Sequence, residues 1–147
     1  MRLWHYKLLP YLPDAQFRGQ LRELVAIMHD WRENGKTNHI LINRVTDYSK
    51  SELTSYFLIY TAHYFLRYEK LPAKSLSDEF QAFAPVRDEP ESGCIYVDWH
   101  DREYLRVCMA NLYEKYAYAK GRSAISQEEW DKLREGYRRL TGEDYLI

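Results

Sequence analysis

Arg22 and Glu23 are the residues of this chain best placed to do polar chemistry on a helix surface. They lie in a stretch where Phe17, Leu21, Leu24, Val25 and Met28 recur at i, i+4, i+7, i+8 and i+11, which makes one apolar stripe. At about 100° per residue, Glu23 projects almost opposite the centre of that stripe. Gly19 and Ala26 share its face, so the carboxylate would stand in a shallow notch into which another segment or a ligand can settle. Glycine costs a helix interior about 1 kcal/mol relative to alanine, so its use there points to close approach by something. The same residues also read as a solvent-facing glutamate beside an incidental glycine. Helical geometry alone leaves both readings open.

Other polar groupings are weaker. Asp98, His100 and Asp101 form a D-x-H-D cluster, but no second histidine follows at i+4, and Asp101 reads more simply as a helix cap. His63 falls inside an apolar helical run and reads as a hydrogen-bonded core residue. Cys94 and Cys108 have no metal-ligand spacing and read as reduced, buried thiols. There is no Gly-rich phosphate loop, nucleophile elbow or zinc-finger spacing.

The elements that must position these groups are helical. The first helix is expected from Pro13-Asp14 to Gly35, with proline and an acidic residue at its start and Asn34-Gly35 as its stop. Residues 36–48 form a connection, and His39 to Ile42 is extended or one helical turn. Ser49 and Glu52 have capping-box spacing, opening a helix to about Tyr68 that is apolar around most of its circumference and therefore central and largely buried. Ser75 would cap a short helix to Phe83. Residues 84–98 are Pro- and acid-rich and read as a loop, with Cys94 to Val97 a possible short strand. A further helix runs from about Asp101 to Lys120 with Tyr104, Leu105, Cys108, Met109, Leu112 and Tyr116 inward. Ser126 and Glu129 make a second capping box, opening a helix to about Leu140. The expected architecture is all-α: a compact helical bundle of three to five helices, with residues 1–147 as a single domain.

Composition narrows the function classes. A hydrophobic share of 46% suits a globular protein, and no apolar run approaches the roughly 18 to 20 residues that span a bilayer. Pro10, Pro13 and Asp14 break up the N-terminal stretch, so no signal peptide is read and a cytoplasmic protein with no membrane partner is expected. A net charge of −1 argues against a strongly basic nucleic-acid binder. The charge is uneven, however. Residues 1–50 carry eight Lys/Arg against five Asp/Glu, whereas residues 51–100 carry four against eight. A basic N-terminal face can still meet phosphates locally. The 14 tyrosines suit half-buried positions, interfaces and base-stacking surfaces alike.

The opening MRLWHYKLLPYLPDAQFRGQLRE resembles the N-terminus of the pyrimidine-dimer DNA glycosylase family, the phage endonuclease V type. Gly19-Gln20-Leu21-Arg22-Glu23 is similar to the G-Q-H-R-E motif of its bacterial branch, with Leu21 at the histidine position. Ala26 stands where the phage enzymes carry an arginine. Weaker similarity continues at Ala124-Ile125-Ser126-Gln127. The resemblance implies a DNA repair glycosylase with abasic-site lyase activity on pyrimidine dimers or related lesions in double-stranded DNA. The free N-terminal α-amine would be the nucleophile. Arg2 is bulky enough to leave Met1 in place, so that amine belongs to Met1.

An α-amine, with a reference pKa of about 7.7–8.0, is partly neutral near pH 7, whereas a lysine near 10.4 is not. The resemblance implies that Glu23 stabilises the cationic intermediate and moves protons, with Arg22 completing the catalytic group. It implies DNA contacts from Arg2, His5, Lys7, Arg18 and Gln20, and it requires no metal and no cofactor. The alternative is a non-catalytic helical binding protein that keeps the fold without the DNA surface. An enzyme should gather its basic residues around Met1 and Glu23.

Overall fold

The computed structural model describes residues 2–37, 40–83 and 95–146, and for residues 40–42 the backbone alone. Every regular element among them is helical. Five are α-helices: α1 (Asp14–Asn34), α2 (Lys50–Tyr68), α3 (Lys74–Phe83), α4 (Arg102–Ala117) and α5 (Gln127–Thr141). Three are 3-10 segments, Tyr6–Tyr11, Ile40–Asp47 and Gly121–Ser123. The all-α class holds. Counting the 3-10 segments, the helical elements exceed the expected three to five, because such short pieces leave no 3.6-residue apolar period to read.

Helix ends follow local chemistry where that chemistry is not claimed from elsewhere. Asp101 caps α4, its Oδ1 accepting from the Tyr104 N–H at 2.9 Å. At the start of α5 the Ser126 Oγ accepts from the Glu129 N–H at 3.2 Å, and the Glu129 carboxylate accepts from the Ser126 N–H at 2.8 Å. The helix closes on Gly142 at φ +76°, the left-handed conformation that glycine adopts at little cost.

The expected box at Ser49 and Glu52 does not form. The Ser49 hydroxyl bonds the Ser51 hydroxyl at 2.9 Å, and the Glu52 carboxylate accepts instead from the backbone N–H of Tyr96 at 3.0 Å. Tyr96 is fully buried at φ +50°, so its amide needs an internal acceptor, and Glu52 supplies one. Two other boundaries shift. α3 begins at Lys74, which places Ser75 inside the first turn, and α4 ends at Ala117 short of Lys120. Residues 95–98 form bends and a turn, not a strand, while Cys94 and His39 lie outside the described residues.

The chain divides into two compact units, one of Met1–Leu3 with Gln20–Val97, the other of Trp4–Gly19 with Asp98–Ile147. In the first, Leu24, Ile27 and Met28 of α1, Leu53, Tyr56, Phe57 and Tyr60 of α2, and Leu76 and Phe83 of α3 are buried. Phe57 stacks on Phe80 with ring centroids 4.3 Å apart, and Trp31 meets Phe83 at 5.5 Å. α2 is not buried all round. Leu58, Phe65 and Leu66 are 55%, 51% and 75% exposed, because only the stripe through Leu53, Tyr56, Phe57 and Tyr60 is covered.

In the second unit α5 packs on α4 and on the 3-10 segment Tyr6–Tyr11. The Trp130 ring stacks on Tyr116 at 5.5 Å and is tilted against Tyr113 at the same separation. Gly136, inside α5, is what lets the 3-10 segment approach. A Cβ there would stand 2.6 Å from Cδ2 and 2.7 Å from Cδ1 of the Tyr11 ring. In an open helix interior Gly→Ala stabilises by about 1 kcal/mol. Here the added methyl must displace a ring, so Gly136→Ala is expected to destabilise by about 1–3 kcal/mol. Urea unfolding measures this, and a variant more stable than the parent would refute the seat.

Candidate active site

Gln20 is fully buried in α1, and its amide is the fixed point of the site. Nε2 donates to the Arg2 carbonyl at 3.0 Å and to Glu23 Oε2 at 3.1 Å. Oε1 accepts from the Tyr56 hydroxyl on α2 at 3.0 Å. The backbone N–H of Arg2 donates to the same Glu23 Oε2 at 3.3 Å. The segment that settles against Glu23 is therefore the start of the chain itself. All of these groups belong to the first unit.

This placement corrects the expected orientation of Glu23. Within the first unit the buried residues of α1 include Gln20, Leu24, Ile27 and Met28, whereas Leu21 and Val25 are only half-buried. The centre of that set lies about 80–90° from Glu23 at 100° per residue, so the carboxylate flanks the buried face. An apolar-only count misses this because Gln20 is polar, yet its burial is compensated bond by bond. Glu23 is half-buried and Arg22, one residue before it, is exposed. Met1 lies outside the described residues.

His5, Lys7 and Arg18 belong to the second unit. His5 is 2% exposed, and its Nδ1 accepts from the Lys7 N–H at 3.2 Å, capping the 3-10 segment. His100 Nδ1 likewise accepts from the Tyr6 N–H at 3.1 Å, and the two imidazoles lie 5.1 Å apart. With Nδ1 as acceptor, the neutral ring of His5 carries its proton on Nε2. Lys7 is exposed, its ammonium 5.9 Å from the Tyr6 ring centroid. Arg18 pairs with Asp14 at 2.9 Å, both exposed. His5 and Gln20, expected at DNA, are thus occupied inside their own units, whereas Arg22, Lys7 and Arg18 face solvent.

The remaining candidates resolve simply. Asp101 and His100 are engaged as above, and among the described residues no group of three or more His, Cys, Asp or Glu could hold a metal ion. His63 is half-buried, not deep in the core, and burial with nearby Arg67 holds its pKa below the usual value. Cys108 is buried and forms no disulfide. No helix among the described residues is long and apolar enough to cross a membrane.

The family model for pyrimidine dimer DNA glycosylase matches residues 1–75, half of the chain. The chain belongs to the pyrimidine dimer DNA glycosylase family. The resemblance carried by the first 23 residues therefore extends through α1 and α2 to the start of α3. The matched stretch contains Arg2, Gln20, Arg22, Glu23 and Tyr56, the residues that the first unit contributes here, and membership implies a DNA substrate. No curated protein and no solved structure matches the chain. Tyr56, which joins this arrangement from α2, reads in the sequence as one more apolar position of the α2 stripe.

Burial sets a pH dependence in the second unit. Desolvation, with Lys7 nearby, lowers the His5 pKa to about 4 from an unfolded value of 6.5. Between those values the unfolded chain binds a proton that the folded one refuses, so stability is full above pH 6.5 and falls as the pH drops towards 4. The loss is about 3 kcal/mol. His5→Asn, which keeps a side-chain oxygen for the cap, should lack that part of the slope when urea unfolding is compared at pH 7 and 4.5. Equal slopes in parent and variant would contradict it.

Proposed function

We propose that the protein excises bases from damaged double-stranded DNA and then cleaves the strand as an abasic-site lyase. In this reading the α-amine of Met1 is the nucleophile and Glu23 is its electrostatic and acid–base partner. The observation that best supports it is the hydrogen bond from the Arg2 N–H to the Glu23 carboxylate at 3.3 Å. Along any peptide chain the preceding α-nitrogen is three covalent bonds from that amide nitrogen, so the carboxylate and the amine fall within reach of one reacting carbon.

The chemistry balances without an added group. The amine lone pair attacks C1′ of the deoxyribose, the glycosidic C–N bond breaks, and the electron pair leaves with the base, which takes up a proton. The attacking nitrogen loses a proton and the sugar ring opens, O4′ taking a proton, to give a protonated imine. The Glu23 carboxylate, already oriented by two N–H donors, stabilises that cation. A base then takes the C2′ proton, the C3′–O3′ bond breaks with the phosphate as leaving group, and water hydrolyses the imine. Arg22, exposed one residue from Glu23, and Arg2 hold flanking phosphates.

Borohydride added to the protein on abasic-site DNA should yield a covalent adduct that maps to Met1; an adduct on a lysine alone would refute the nucleophile. Glu23→Gln should keep the fold at a cost of about 1 kcal/mol. Its turnover should fall by about 10²–10³-fold, the scale of losing one oriented electrostatic partner. Arg22→Gln should flatten the log–log salt dependence of duplex binding by roughly 0.9, and Lys74→Gln should leave it unchanged. A folded protein with no measurable affinity for damaged DNA at low salt would favour a non-catalytic role.

A further inference from the structure

We infer that Gln20 and Tyr56 are positioning residues, which orient the Glu23 carboxylate and the first peptide of the chain without touching DNA. The inference rests on the role of Glu23 proposed above. Both side chains are fully buried, so neither offers an atom to a ligand in solution. Their effect on the reaction must pass through what they hold.

The amide of Gln20 is held in one orientation by its surroundings. Its two N–H groups meet two acceptors, the Arg2 carbonyl and Glu23 Oε2, and its oxygen meets the Tyr56 hydroxyl. Turning the amide over would set its oxygen against a carbonyl and a carboxylate and remove the N–H it gives to each. Only a neutral amide supplies two donors and one acceptor from a planar group. A glutamate at this position would bring oxygen lone pairs to both acceptors, and a leucine would remove the bond to each of the three partners.

Neutrality also matters for the chemistry. A lysine or arginine beside Glu23 would hold the carboxylate equally well but would neutralise it. Gln20 holds it while leaving its negative charge for the cationic sugar and imine. A glutamate side chain gives up about 1.5–2 kcal/mol of rotamer entropy when it is fixed. Here that cost is met in folding, before substrate arrives, which is the condition for electrostatic preorganisation. The shared Oε2 ties the same carboxylate to the Arg2 N–H, so displacing Gln20 moves the carboxylate and the N-terminal segment together. Tyr56, standing on α2, fixes Gln20 against a second helix.

The test separates positioning from DNA contact and from mere stability. Turnover and KM would be measured on abasic-site duplex for Gln20→Leu, Tyr56→Phe and Glu23→Gln, and for Gln20→Leu combined with Glu23→Gln. Affinity would be measured on an uncleavable abasic analogue. Gln20→Leu should lower kcat by about 100-fold, the scale of a misplaced reacting group, and Tyr56→Phe by about 10-fold. Affinity should stay within about twofold for both, and the losses of Gln20→Leu and Glu23→Gln should combine to less than their product.

A rise in KM with unchanged kcat would make Gln20 a contributor to binding and overturn the proposal. Multiplying losses in the double variant would overturn it as well. If Gln20→Leu does not fold, Tyr56→Phe decides, since it removes one oxygen only; an unchanged kcat there refutes the proposal. Full activity of Glu23→Gln would overturn the assignment of Glu23 and the positioning role with it. Loss in Glu23→Gln with none in Gln20→Leu and Tyr56→Phe would overturn the positioning role alone.

Discussion

Where the start of the chain meets α1 and α2, the first unit is governed by the hydrogen-bonding inventory of one buried amide. Gln20 is closed to bulk solvent, and each of its groups left without a partner would cost about 1–3 kcal/mol. Two acceptors and one donor must therefore be delivered from three places at once. Arg2 brings a carbonyl, Glu23 a carboxylate one turn along, and Tyr56 a hydroxyl from α2. These demands draw the N-terminal segment onto α1 in one register and hold α2 beside it. The geometry at Glu23 follows from satisfying Gln20.

The second unit anchors its own share of the N-terminal stretch by shape and capping. Tyr11 lies over a glycine on α5, and the imidazoles of His5 and His100 accept the backbone N–H groups of Lys7 and Tyr6. Such an acceptor must be unprotonated at Nδ1, and at His5 burial suppresses the charge so that the neutral ring makes the cap. His5 is thus a structural residue that happens to stand in a stretch rich in cations and aromatic rings.

What was legible in the sequence was local. The ends of α1 and α5 were readable because Asp14, Ser126, Glu129 and Gly142 act within a few residues of themselves. The Ser49–Glu52 spacing is just as good, yet Glu52 is claimed by Tyr96, 44 residues away, and no local pattern reports a competitor at that distance. The bearing of Glu23 was misjudged for a related reason. A helix face is defined by what is buried, and Gln20 is buried by virtue of partners that lie 18 and 36 residues off. α2 shows the converse, since a helix can be apolar all round and still find neighbours along one stripe only. Arg22 and Glu23 stand out in the sequence through the family motif, whereas Tyr56 carries no mark beyond its aromatic ring.

The order of the two units along the chain bears on how the protein is made. Residues 4–19 leave the ribosome well before α4 and α5, the helices of the second unit, and α5 is the helix that packs on their 3-10 segment. At roughly 5–20 residues per second the interval is on the order of ten seconds. During that time Gln20–Val97 emerges entire and has every element of its own helical core to hand, while the apolar 3-10 segment ahead of it waits uncovered. Synthesis therefore passes through a stage with the first unit's helices complete and the second represented only by a short apolar segment.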